Sequence, residues 1–120
     1  MILNLTQHAA TPEQLDAGVV NVSDDDKAKL TALLTFETLP SRFVVAKRAS
    51  EIAALAASYH ADCCMIGGAP FLMTALEIAL QANSIKPVYA FSQRVSIDAH
   101  QADGSVKKVA VFKHCGFVDA

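Results

Sequence analysis

The stretch Cys63-Cys64-Met65-Ile66-Gly67-Gly68-Ala69-Pro70 decides the fold of this chain. Its first four residues are wholly apolar and lie between two helical stretches, the pattern of a short strand buried on both faces. Gly67 and Gly68 turn the chain, and Pro70 suits the first position of a helix. In that helix Leu72, Leu76, Ala79 and Leu80 recur on one face. Asn83 closes it and Pro87 prevents its continuation. Val88-Tyr89-Ala90-Phe91 reads as the next buried strand. Strand, helix and strand in this order imply a right-handed crossover between parallel strands.

The same alternation extends toward the N-terminus. From Ser41 to about His60, Val44, Arg48, Ile52, Leu55 and Tyr59 recur at helical spacing. The alanines between them let this helix lie close to whatever it packs on. Ser23 followed by Asp24, Asp25 and Asp26 is a helix start, a hydroxyl cap with carboxylates against the positive end of the dipole. Leu30, Leu33 and Leu34 supply its inward face. Val19 to Val22 is either a small extended segment or a buried linker. Thr11 with Pro12 opens a short helix that Gly18 stops. Ile2 to Leu5 is the first strand, and the polar run from Thr6 that follows is a loop.

Beyond Phe91 the character changes. Arg94 to Gln101 and Val106 to Lys113 flank Ala102-Asp103-Gly104-Ser105, and Asp-Gly signals a two-residue hairpin. With Asp103 and Gly104 as the turn, Val95 faces Phe112, Ile97 faces Ala110 and Arg94 stands opposite Lys113. The expected fold is α/β: a small Rossmann-like three-layer domain, with a parallel three-stranded core, helices on both faces and a C-terminal antiparallel β-hairpin.

Composition narrows the function classes. The 120 residues are 52% hydrophobic and 18% charged, which fits one compact domain over residues 1–120 and excludes disorder. No apolar run approaches the roughly 20 residues of a membrane helix. Met1 to Leu5 lacks the n-region and h-region of a signal peptide. A formal charge of −2 argues against a duplex-DNA binder. Three cysteines, two of them adjacent, make a disulfide framework improbable, so a reducing cytoplasm is expected. Three buried strands and alanine-rich helices account for most of the apolar excess, so composition alone does not demand an interface. A homodimer built on particular segments is nevertheless expected. The segments suspected are Val19–Val22, the alanine face of residues 49–57 and the hairpin with Phe112, Phe117 and Val118.

Ligands of open parallel sheets bind beyond the carboxyl ends of the strands. Three segments are expected to converge there: Thr6-Gln7-His8, Gly67-Gly68-Ala69 and Ser92-Gln93-Arg94. Gly67 and Gly68 let backbone amides approach an anion at the positive end of the following helix, although a Gly-Gly pair also serves as a plain tight turn. Arg94 offers a planar fork suited to phosphate or stands on the surface at the hairpin base. His8 is the candidate proton donor or orienter, the bland alternative being a cap. Thr6, Gln7 and Ser92 offer neutral hydrogen bonds, and Asn4 and Lys113 complete the set of candidate ligand-binding residues. Neither G-x-G-x-x-G nor a P-loop is present. The histidines and cysteines lack zinc-site spacing, and Asp24–Asp26 reads as a solvated cap, so neither metal nor cofactor is expected. Cys115, beside His114, is the one plausible reactive thiol.

Two resemblances add to these readings. Asn4-Leu5-Thr6-Gln7-His8, Thr11-Pro12-Glu13-Gln14, Met65 to Pro70, Tyr89 to Arg94 and Phe112 to Val118 together resemble a family of small phage- and prophage-encoded proteins of unassigned activity. The opening alone, through Asn4, Thr6, His8, Thr11 and Gln14, is similar to small stand-alone CRISPR-associated (CARF-type) Rossmann-like proteins. That group includes ring nucleases that bind and cleave cyclic oligoadenylate across a homodimer axis. The second resemblance implies a small phosphorylated ligand, a nucleotide or cyclic oligonucleotide, and metal-free cleavage by a ribose 2′-hydroxyl. Arg94 and the Gly67-Gly68 amides would then stabilise charge, and His8 would protonate the leaving oxygen. The alternative is a non-catalytic sponge or protein-interaction module.

Overall fold

A computed structural model describes residues 1–120. The elements run β1 (Ile2–Asn4), α1 (Pro12–Asp16), β2 (Val19–Asn21), α2 (Asp24–Leu34), α3 (Arg42–Ser58), β3 (Cys63–Met65), α4 (Pro70–Ala82), β4 (Lys86–His100) and β5 (Val106–Asp119). One five-stranded sheet takes the order β2-β1-β3-β4-β5. The first four strands in that order are parallel, and β5 returns antiparallel to β4.

Local chemistry places the helix ends where the sequence put them. Thr11 and Gln14 form a reciprocal capping box around α1, and Gly18 ends the segment at φ 98°. Ser23 caps α2 by accepting from the Asp26 N–H, and Ser41 caps α3 by accepting from the Val44 N–H. The buried stripe of α3 is Ala49, Ile52, Ala53 and Ala56, small enough to bring the helix close to α4.

Leu3, Leu5, Cys64 and Ile66 point toward α2, α3 and α4 and join the main core with Leu30, Ile52, Leu72, Leu76 and Leu80. The opposite face holds a smaller cluster of Val19, Met65 and Val88, against which Ile2, Ala10 and Phe117 pack. Helical cover is therefore unequal, heavy on one face and reduced to the region of the five-residue α1 on the other.

Three expectations are corrected. Val19–Asn21 is an edge strand, so the parallel set has four members rather than three. The expected third core strand and the first hairpin strand are one continuous strand, β4, because Ser92-Gln93-Arg94 stays paired to β5. The turn is also longer than the Asp-Gly signal suggests. Gly104 donates to the Gln101 carbonyl at 3.1 Å and itself adopts φ 86°, while Gln101 donates to Ser105 at 2.8 Å. That is a type I turn followed by a left-handed glycine, a three-residue loop that shifts the register by one. Val95 consequently faces Val111, Ile97 faces Val109 and Arg94 faces Phe112, with Gln93 opposite Lys113. The expected like-charge pair does not form. Instead Asp98 faces Lys108, with an ion pair at 3.7 Å. A register shift between Phe91 and Ser92, where Cys115 is the extra residue on β5, restores the offset near the sheet.

Candidate functional site

The strand order reverses between β1 and β3. The chain leaves β1 toward β2 on one side and leaves β3 toward β4 on the other, so the loops diverge and open a crevice. A cavity of about 500 Å³ sits there. Its walls are the Thr6–His8 loop, the Gly67–Ala69 turn, and Tyr89 with Ala90 from β4; Leu34 of α2 contributes an apolar side and Thr11 and Gln14 form part of the rim. The volume is within the range of small-molecule sites. No Lys, Arg, Asp or Glu lines it.

Asn4 shapes the first wall without joining it. It is 2% exposed, and its Nδ2 donates to the His8 carbonyl at 2.8 Å and to Asn21 Oδ1 at 2.9 Å. Its Oδ1 accepts from the Thr6 N–H at 2.9 Å, with the Thr6 hydroxyl 2.7 Å away. Asn21 Oδ1 takes a further bond from the Ala10 N–H at 3.0 Å. Two asparagines at the ends of neighbouring strands thus pin both sides of the loop. Asn4 is a positioning residue, and the Thr6 hydroxyl is turned toward it, leaving the Thr6 methyl beside Gly67. His8 is exposed on the cavity wall, and its ring has no hydrogen-bond partner in the chain. Gln7 reaches toward the Thr35 hydroxyl at 3.4 Å.

The second wall is backbone. The N–H groups of Gly67, Gly68 and Ala69 donate to no protein acceptor, and Ala69, the N-cap of α4, provides no side-chain cap. Gly68 has φ 156°, and a Cβ there would meet Met73 Cε at 3.4 Å, so this position requires glycine. Gly67 is less constrained: its Cβ would be 3.6 Å from Thr6 Cγ2, an ordinary contact.

Ser92, Arg94 and Lys113 do not join these walls. The sheet edge is set where β3 stops pairing, at Met65 opposite Val88, so the residues at cavity level are Tyr89 and Ala90. Ser92 and Arg94 lie farther along β4, on the ribbon it forms with β5, with Lys113 opposite Gln93. Tyr89 is the site residue that sequence reasoning placed only in a strand. Its hydroxyl donates to Glu77 Oε2 on α4 at 2.7 Å. Burial, with the Glu77 carboxylate as acceptor, pushes the phenol up to about 12, so it remains a protonated, fixed wall. The level of the last β3–β4 pair was the signal that could have found it.

No group of three or more His, Cys, Asp or Glu side chains comes together in a way that could hold a metal ion. No helix is long and apolar enough to cross a membrane. The model of the uncharacterized protein MJ1673 family matches residues 1–118. No curated protein and no solved structure matches the chain.

Proposed function

The chain belongs to the uncharacterized MJ1673 family, and since that membership assigns no activity, we propose from the site that it binds a small phosphorylated ligand at the reversal of its sheet. The ligand class is a nucleotide or cyclic oligonucleotide, held by a Rossmann-like three-layer domain. One observation carries this reading: Gly67, Gly68 and Ala69, whose N–H groups are unpaired, line the same cavity as His8. Oriented amides at the positive end of a 13-residue helix complement an anion without a cation. His8 and Gln7 supply side-chain contacts, and Tyr89 supplies an aromatic wall. Asn4 and Thr6 hold the loop.

The resemblance to CARF-type ring nucleases makes cyclic oligoadenylate the first probe and defence signalling of phage or prophage origin the proposed setting. Cleavage of such a ligand without metal needs the ribose 2′-hydroxyl in line and a proton donor for the leaving oxygen. In this reading His8, which lines the cavity, supplies that proton. Arg94, on the ribbon, is not placed to stabilise charge in the same cavity.

A second reading, capture without turnover, is favoured by the lining itself. His8 has no carboxylate or cationic partner there, and Tyr89 stays protonated. Stoichiometric protein incubated with cyclic tetraadenylate, ATP and AMP, followed by denaturation and recovery, separates the readings. Intact retained ligand means capture, and linear product means an enzyme. Failure to retain any of the three contradicts the nucleotide assignment.

A further inference from the structure

Past Val88, β4 has only β5 as a neighbour, and the two continue together as an arm from Ser92–His100 to Val106–His114. One hydrogen bond ties this arm to the body, from the His114 N–H to Glu13 at 3.1 Å. Nine residue pairs at about 3.4 Å each give an arm of roughly 30 Å. It draws the molecule out to 56 × 33 × 27 Å, with a radius of gyration of 16.9 Å against roughly 14 Å for a compact chain of this length. The one-residue shift in register gathers Val95, Ile97, Val109 and Val111 on one face of it. A two-stranded ribbon is marginal by itself in water, and this one has nothing against its apolar face.

The body carries a matching surface. A groove of about 630 Å³ runs between α3 and α4, lined by Leu39, Val45, Phe71 and Ile78 among others. Leu39 is 97% exposed and Ile78 64%. The arm is about as long as the body is wide.

We propose that the β4–β5 arm of one molecule lies in the α3–α4 groove of a second copy, reciprocally, in a two-fold dimer. Area decides between this and a stack of arm on arm. One arm face, two strands wide, covers roughly 300 Å², so an arm-on-arm stack buries only about 600 Å² in total, in the range of lattice contacts. Reciprocal seating uses an arm and a groove from each protomer and reaches roughly 1,200 Å², the start of the range for stable interfaces. Charge agrees. The arm holds Arg94, Lys107, Lys108 and Lys113 against Asp98 and Asp103. With ten basic and twelve acidic residues overall, the rest of the chain keeps six against ten, so the long-range attraction is between arm and body, while Arg42 is the one charged residue lining the groove itself. The same lysines oppose edge-to-edge pairing of β5 with its own copy, where like charges would face one another.

Sedimentation equilibrium on the full chain tests this. The wild type is expected to be a dimer. A double arm variant, Ile97→Lys with Val109→Lys, and a groove variant, Ile78→Lys, are each expected to weaken association at least about 30-fold. Their helical circular dichroism should be unchanged, since none of the three residues is in the buried core. Mixing the two variants restores one arm–groove contact, so a heterodimer should form more tightly than either variant self-associates. A wild-type monomer at roughly 100 μM, or a groove variant as dimeric as the wild type, would overturn the proposal.

Discussion

At the scale of single residues, the site depends on groups that do not line the cavity. Asn4 is the clearest case. Its carboxamide donates to two oxygens and accepts from Thr6. Asn4→Asp keeps the shape but replaces the donor with an acceptor opposite the His8 carbonyl and Asn21 Oδ1. Urea denaturation should show a loss of at least ~2 kcal/mol, because repulsion is added to orphaned partners. The residue types of this loop were legible, but their division of labour was not. Nothing in Asn-Leu-Thr-Gln-His says that Thr6 turns its hydroxyl inward, since that depends on Asn21 arriving beside Asn4. Cysteine chemistry separates just as sharply. Burial raises the Cys64 thiol to about 12 and raises Cys63 as well, whereas Cys115 is exposed in the bulge. A thiol-reactive dye should label Cys115 rapidly and Cys64 only on unfolding.

Among the elements, short-range signals were reliable and pairing was not. Caps at Thr11, Ser23 and Ser41, and the glycine stop at Gly18, are local hydrogen bonds and dihedrals that need no partner. The hairpin turn depended on whether Asp-Gly sat at the centre or the end of its loop. Asp103 bonds the Ser105 N–H at 2.9 Å, which favours the longer loop. Asp26 shows a second use that its cap position hid. Besides opening α2, it accepts from Tyr59 beyond the end of α3, and this bond, ahead of the Ser23 and Lys29 contributions, lowers its pKa from 3.8. A depressed carboxylate stabilises the fold above its unfolded pKa, and the contribution is lost as pH falls through the folded value. Tyr59→Phe should therefore flatten the acid limb of the stability curve below about pH 4 while leaving the limb above pH 6 parallel to wild type. Equilibrium urea titrations across pH 2–7 read this directly.

For the whole molecule, the parallel α/β plan was legible from one apolar run followed by Gly-Gly and Pro, because buried strands and crossovers leave few topologies. The sheet order was not, since β2 is three residues long and carries no pattern of its own. Yet that short edge strand creates the reversal between β1 and β3, and with it the cavity. Arg94 was assigned to the wrong neighbourhood for a related reason: nothing local marks where β4 leaves the sheet and becomes an arm. The Thr6–His8 loop and the Gly67–Ala69 turn are the parts of the site that both sequence and structure bring to one place.

Gly67 offers the most direct test of that site, because a methyl group there meets only Thr6 Cγ2 at 3.6 Å and leaves the backbone unstrained. The measurement is a calorimetric titration of cyclic tetraadenylate, ATP and AMP into wild type, Gly67→Ala and His8→Ala at equal thermal stability. Binding of at least one ligand by wild type, weakened about tenfold or more (~1.4 kcal/mol) in both variants, is the predicted result. Heat-silent titrations with all three ligands, or variants that bind as the wild type does, would contradict it.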